Sequence, residues 1–379
     1  MGLKLKEIGA VLRDRQSKPV IGFLFLAVLG FLVVAYFSQT SNSLALQAFL
    51  YLIVFDILSL LTCLVTIWVS KQKPNAVYSF GYERVEVVAV FTSTSLVIFF
   101  GLSVVKHGLE RLFQPPAVMT SDLLLATLLG LSIHLLITYC VKNKAYSHVA
   151  FSASSNWLQD ALSDVQNCLC NFLPFLSRVL VFKLNPLVLL SVASGVAILF
   201  TCVLIDYSDL HTADAASGLI IAALLCSTMV PLAIYSGKIL LQTMPENSTS
   251  HLDKLLREAL TLDGVLELRN EHFWALSFGV LAGSLHVRVK RDAVEQVILA
   301  QITNKLAPYV SQLTVQVFKE DWSLPAVASS HHIQSQSHSH SHSHSHSHSH
   351  SGHGHSHDEG FQETQLFAST PQTTHEVPV

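Results

Sequence analysis

One residue whose side chain could bind an ion or a proton stands out because of its surroundings. The segment YLIVFDILSL, residues 51–60, places Asp56 among apolar neighbours on both sides. A charged side chain at the centre of a bilayer costs about 2.5–3.5 kcal/mol on insertion scales. We therefore expect Asp56 to be protonated, to face the interior of a helical bundle, or to hydrogen-bond with Ser59, Ser191 or Ser194.

Histidines near the C-terminus form a second candidate site. Twelve histidines lie between His331 and His357, and most of them alternate with serine. An unperturbed histidine has a pKa of about 6.5, so these imidazoles are mostly neutral at cytosolic pH and can bind metal ions. In an extended chain several of them can wrap one Zn²⁺, weakly and in many registers. The regular part of this segment comprises His338, His340, His342, His344, His346, His348, His350, His353, His355 and His357.

The composition indicates that the elements around these residues cross a membrane. Of the 379 residues, 50% are hydrophobic and only 13% are charged, and the mean hydropathy is +0.46. These values are typical of a polytopic α-helical membrane protein, and the net charge of −3 gives no indication of a nucleic-acid partner. Six apolar segments are long enough to cross about 30 Å of hydrocarbon as helices. They lie near residues 20–38, 44–69, 86–109, 121–141, 186–206 and 214–240.

Basic residues predict how these spans are oriented. The N-terminal segment 1–19 is basic, and the loop after the second span carries Lys71, Lys73 and Arg84. Positively charged residues are enriched on the cytosolic side of membrane proteins. We therefore expect both termini to be cytosolic, and we expect the first span to be retained rather than cleaved as a signal peptide.

Three segments outside the spans have patterns of their own. Residues 142–185 carry apolar residues at helical spacing with polar residues between them, which predicts an amphipathic helix on the membrane surface or against the bundle rather than a seventh span. Residues 241–323 follow the order helix, strand, strand, helix, strand, which predicts a cytosolic α+β domain of the αββαβ, ferredoxin-like type. Residues 324–379, which carry the Ser-His repeats, have low complexity and are expected to be disordered.

The sequence YSFGYERVEVVAV at the start of the third span resembles the cation diffusion facilitator family of zinc transporters. The family motif falls on Phe80, Gly81, Tyr82, Arg84 and Glu86. Taken alone, the arginine and the glutamate of this motif could form an ordinary interfacial ion pair. Six spans followed by a small cytosolic α+β domain also resemble the family, so the resemblance covers most of the chain.

The resemblance implies a zinc site within the membrane that this sequence does not complete. Family members that move zinc carry an HxxxD pair on the second span and another on the fifth. Residues i and i+4 share a helix face, so two facing helices present the four ligands that tetrahedral zinc prefers. Here the second-span pair falls on Leu52 and Asp56, and the fifth-span pair on Leu187 and Ser191. Three of the four ligands are absent, so we predict that this degenerate intramembrane zinc site carries no zinc.

A competing alignment of the fifth span remains open. Asn156, Asp160 and Asp164 are four residues apart in NWLQDALSD. This register would require a further span before Asp214, which matches the acidic residue that opens the family's sixth span. The three residues are therefore better explained as the solvated face of the loop helix. Asp56 itself is either a polar packing residue whose hydrogen bonds are satisfied, or it keeps a role as a proton relay or conformational switch.

Two histidines in the predicted α+β domain are candidates for a regulatory metal site. His272 and His286 match histidines that some family members use to bind zinc at the dimer face of this domain. Each is also consistent with a strand histidine that hydrogen-bonds to the backbone. We keep both interpretations for these residues.

The residues of these motifs are similar to those of one branch of the family, and this similarity implies a function. The chain would be an auxiliary, non-conducting subunit of a zinc/proton antiporter, paired with zinc transporter 5 in Golgi or trans-Golgi network membranes. Zinc would be the transported or sensed ion, no catalytic residue or cofactor is expected, and secretory enzymes such as alkaline phosphatases would receive the zinc. A homodimer, a transporter active on its own and a membrane-tethered zinc buffer remain as alternatives.

Overall fold

The computed structural model describes residues 13–141, 143–153 and 186–319 of the chain. Most of the predicted amphipathic helix at 142–185, including the alternative register at 156–164, lies outside the described residues, and so does the histidine-rich tail. The described residues fall into two compact units. The first runs to Thr249 and includes the hairpin tip Phe273–Ala282, and the remainder forms the second.

Six helices of the first unit are long and apolar enough to cross a membrane, among the residues that the structure describes. Their number and order confirm the predicted six-span architecture. A helix with this composition satisfies all its backbone polar groups internally, which the interior of a bilayer requires. The helices are α1 (Ser17–Ser41), α2 (Leu44–Val69), α3 (Glu83–Phe113), α4 (Leu123–Cys140), α6 (Pro186–Ser208) and α7 (Thr212–Leu240), with the short helix α5 (Lys144–Ala153) between α4 and α6.

Helix α2 lies at the centre of this unit and is the most buried of the six. It packs against α1, α3, α4, α5, α6 and α7. Gly130 allows α4 to approach α2 closely, because a Cβ atom at this position would lie 2.6 Å from the Phe49 ring. Small residues commonly serve this purpose between membrane helices. His134, one helical turn after Gly130, is thereby brought against α2 as well.

A buried carboxylate fixes one end of the bundle, which we call the far end and define by Ser41, Leu44 and Thr212. The carboxylate of Asp214 on α7 accepts hydrogen bonds from the backbone N–H groups of Leu44 at 2.6 Å and Ala45 at 3.3 Å. The hydroxyl of Ser43 also donates to Asp214. These N–H groups open α2 and have no partner within that helix, so α7 supplies the cap that α2 needs.

The opposite end of the bundle, the near end, is defined by Ser17, Val69 and Leu240. There the chain turns from α4 into α5, and the amide of Asn143 donates to the backbone carbonyl of Ser59 at 2.8 Å. Tyr146 on α5 is buried, hydrogen-bonds to Ser93 on α3, and packs edge-on against the Phe55 ring at 5.1 Å. Burial raises the pKa of Tyr146 to about 12, so its hydroxyl keeps its proton at neutral pH.

The tip of the β1–β2 hairpin belongs to the first unit. The backbone N–H of Ala275 donates to Thr243 at 3.1 Å, and the hydroxyl of Ser277 donates to the carbonyl of Glu83 at 3.2 Å. Ala275 and Leu281 are also buried in one apolar cluster with Val87 on α3 and with Ile239 on α7. The start of α3, which carries part of the family motif, is therefore held by this tip.

The C-terminal elements confirm the predicted αββαβ order. They are α8 (Glu246–Leu260), β1 (Val265–Ser277), β2 (Val280–Val289), α9 (Glu295–Leu306) and β3 (Gln312–Lys319). The strands form one sheet in the order β1-β2-β3. The core of the second unit is apolar, as the alternating strand pattern predicts. It includes Leu268, Leu285, Val287, Ile298, Ile302 and Leu306.

We expect Asp214→Asn to destabilise the bundle. The amide would turn an N–H group towards the three donors that now face the carboxylate, and losing a hydrogen bond to a charged group costs about 1.5–3 kcal/mol. The free energy of unfolding in detergent would show this loss. Asp122→Asn is the matched control, because Asp122 precedes α4 without making a side-chain cap. Equal stability of the two variants would contradict the capping role.

Candidate functional site: a buried aspartate–histidine pair

Asp56 faces the interior of the bundle and is paired with a histidine on another helix. The Nδ1 atom of His134 on α4 lies 2.9 Å from Oδ1 and 2.8 Å from Oδ2 of Asp56 on α2. Each residue is only 3% exposed. In the tautomer that carries a proton on Nδ1, this N–H group donates to both carboxylate oxygens.

The prediction that Asp56 hydrogen-bonds to Ser59, Ser191 or Ser194 is wrong. Ser59 receives a hydrogen bond from Asn143 at 3.0 Å, Ser191 donates to the carbonyl of Leu187 at 3.1 Å, and Ser194 donates to its own helix. Hydroxyls within helices commonly donate to the carbonyl four residues earlier, and this contact engages the donors of Ser191 and Ser194.

His134 was not predicted as the partner of Asp56, although the sequence contains a signal for it. A histidine within an apolar span is nearly as exceptional as an aspartate. Asp56 and His134 each follow the start of their helix by about three turns. Both helices begin at the far end of the bundle, so the two residues lie at equal depth. Matching polar residues by depth would have found the pair.

The structure places the remaining positions of the degenerate site around Asp56 without adding a ligand. Leu52 lies one turn before Asp56 on α2 and is 2% exposed. Leu187, at the start of α6, lines the same cavity as Asp56, and its backbone is a further hydrogen-bond partner of the His134 ring. Ser191 is fully buried and is bonded within its own helix. Neither leucine side chain has an atom that could bind a metal ion.

A cavity of about 340 Å³ lies beside the pair, towards the near end of the bundle. It is lined by Asp56, His134 and Leu187 from three spans and by Lys144 and Tyr146 from α5. The space is large enough to hold several water molecules. The pair therefore borders a cavity, although both side chains are almost completely buried.

The residues of the family motif are held by separate contacts. The guanidinium of Arg84 donates to the amide oxygen of Gln242 at 2.8 Å and 3.1 Å, and Glu86 accepts from the hydroxyl of Thr66 at 2.8 Å. Gln242 lies in the turn after α7, whereas Thr66 lies on α2. Arg84 and Glu86 therefore have separate partners, and the structure does not show an ion pair between them.

The other motif residues shape the start of α3. Gly81 has a φ of +77°, which glycine adopts without strain. The hydroxyl of Tyr82 accepts from Asn75 at 2.9 Å, and its ring packs against Trp68. Phe80 stays half exposed. Together they form a turn into the helix rather than a binding site.

The two histidines of the second unit lie on neighbouring strands. His272 on β1 is exposed. The Nδ1 atom of His286 on β2 accepts from the amide of Asn270 at 3.1 Å, and its ring packs against Phe318 at 5.4 Å. Across the described ranges, no three His, Cys, Asp or Glu residues are grouped so that they could hold a metal ion.

These features agree with the comparisons with known proteins. Residues 20–241 match the model of the cation efflux transmembrane domain. The chain belongs to the cation efflux family, whose members are membrane transporters rather than enzymes.

The similarity to individual proteins extends over more of the chain than the family model does. It is similar to Zinc transporter 6 of Mus musculus and of Homo sapiens, with 45% identity over 330 residues in each case, which is 86% of this chain and 71% of the relative. Zinc transporter 6 of Danio rerio is 44% identical over 329 residues, which is 87% of this chain and 68% of the relative.

We expect the Asp56–His134 pair to show strong energetic coupling. His134→Leu would leave a buried carboxylate unpaired, at a cost of about 3–5 kcal/mol. The double variant Asp56→Leu/His134→Leu should be more stable than His134→Leu alone, because it leaves no polar group behind. Chemical unfolding in detergent measures both. Ser132→Ala, on an exposed position of α4, serves as the control, and additive losses would contradict the pairing.

Proposed function

We propose that this chain is an auxiliary, non-conducting subunit of a zinc/proton antiporter whose other subunit is zinc transporter 5. Zinc would cross the membrane through the partner. The observation that carries the proposal is the state of Asp56, whose carboxylate is bonded to His134 and has Leu52 and Leu187 beside it. The similarity to Zinc transporter 6 supports zinc as the ion.

The coordination chemistry of zinc supports the proposal that the partner, and not this chain, conducts the ion. A zinc ion that leaves water needs about four protein ligands in a tetrahedral arrangement. Asp56 and His134 provide two at most, and they are engaged with each other. One carboxylate and one imidazole cannot replace the hydration energy of a divalent ion. A cation that reached this point would be held too weakly to be carried across.

We further propose that the chain lies in Golgi or trans-Golgi network membranes with both termini in the cytosol. The basic N-terminus and the basic loop between α2 and α3 support this orientation. Zinc would then move from the cytosol into the secretory lumen, where enzymes such as alkaline phosphatases acquire it. The cytosolic histidine-rich tail would hold zinc near the partner's pathway.

A second candidate, a transporter active without a partner, is favoured by one observation. His134 adds an imidazole that the family pattern lacks, so Asp56 is not the sole metal-binding side chain at this depth. In this case uptake would depend on Asp56. The first candidate does not require that dependence.

We expect this chain alone to give no zinc uptake and to increase the uptake of its partner. The measurement is ⁶⁵Zn uptake into proteoliposomes that contain this chain, zinc transporter 5 or both, under an imposed proton gradient. Asp56→Ala in the chain alone separates the two candidates. Uptake by the unaltered chain that is lost in this variant would overturn the auxiliary role.

We expect deletion of residues 331–357 to leave most of the uptake by the two-subunit complex intact. The membrane unit and the second unit would provide the function, while the tail would only raise the local zinc concentration. The control replaces the same residues with a serine-glycine segment of equal length. Complete loss of function in both variants would favour the zinc-buffer hypothesis instead.

A further inference from the structure

The contact between His134 and Asp56 uses both oxygens of the carboxylate. The same nitrogen, Nδ1, lies 2.8–2.9 Å from each of them. The other side of the ring faces the hydroxyl of Thr138, 3.4 Å from Nε2, and the backbone of Leu187 also hydrogen-bonds to the ring. The imidazole is thus fixed by α2, α4 and α6, and it covers the carboxylate from the side of α4.

We infer that His134 is a specificity-determining residue that caps Asp56 and keeps divalent cations from binding to it. The inference deepens the proposed function, because it names the group that blocks the remaining carboxylate of the degenerate site. The missing ligands explain weak binding. The cap explains why even a weak, partly hydrated ion would not bind.

The distances exclude a metal ion between the two side chains. Zinc binds carboxylate oxygen and imidazole nitrogen at about 2.0–2.2 Å, so two ligands at a tetrahedral angle lie about 3.3 Å apart. The observed N···O distances are shorter than this, and they have the length of a hydrogen bond to a charged acceptor. A metal ion would therefore have to displace the ring from both oxygens.

Lack of space is not what excludes a cation. The cavity of about 340 Å³ reaches Asp56, so a hydrated ion would find room beside the pair. Lys144 and Tyr146 from α5 and the apolar Leu187 from α6 also line the cavity. Among the described residues that line it, Asp56 is the only carboxylate, so covering this residue removes the attraction for a divalent ion.

The test restores the family's ligands and then removes the cap. The restored chain carries Leu52→His, Leu187→His and Ser191→Asp, and a second form adds His134→Leu. ⁶⁵Zn uptake by each full-length chain alone is measured in proteoliposomes. We expect His134→Leu to increase uptake by about tenfold or more, the scale on which neighbours of metal ligands alter affinity. Ser132→Ala in the restored chain is the control on the same helix.

Equal uptake with and without His134, at any level, would overturn the inference. Because the restored chain carries several substitutions, a second measurement uses the native sequence. The exchange Asp56→His/His134→Asp keeps the contact with its partners reversed, so its thermal midpoint should recover most of the loss caused by Asp56→His alone. No recovery would also count against the cap.

The two ideas fail in different ways. Zinc uptake by the unaltered chain alone would overturn the auxiliary role, whatever the restored forms do. An unaltered chain without uptake, combined with restored forms that do not respond to His134→Leu, would leave the auxiliary role standing and remove the cap. A merely structural role of His134 predicts lower uptake in His134→Leu, which is opposite to the expected increase.

Discussion

A carboxylate in the middle of a membrane span must find a hydrogen-bond donor within the protein, because the surrounding lipid provides none. In this chain His134 pairs with Asp56, and this pairing requires α4 to lie against α2 at the depth of the carboxylate. α2 lies at the centre, and Gly130 lets α4 approach it. The leucines around Asp56 complete an environment in which the carboxylate is satisfied by protein rather than by an ion.

A second buried carboxylate, at the far end of the bundle, accepts hydrogen bonds from the N–H groups at the start of α2. Asp214 on α7 caps α2 through the N–H groups of Leu44 and Ala45. α2 is therefore fixed at its start by α7 and at its middle by α4.

The fold could be predicted from the sequence because its signals are local. Apolar length gave the six spans, and period-two alternation gave β2 and β3, since these patterns depend only on neighbouring residues. The partner of Asp56 could not be found in this way, because it depends on which helices pack together. The serines at positions 59, 191 and 194 were plausible by chemistry, but each is engaged elsewhere. Equal depth of Asp56 and His134 was the usable signal.

The central claim is that Asp56 is held by His134 and binds no zinc. Anomalous diffraction at the zinc absorption edge, from crystals of the complex with the proposed partner, zinc transporter 5, grown in excess zinc, tests it most directly. We expect an anomalous peak within the membrane part of the partner and none at Asp56, with the His134 ring against both carboxylate oxygens. A peak at Asp56 with the ring turned away would contradict this claim.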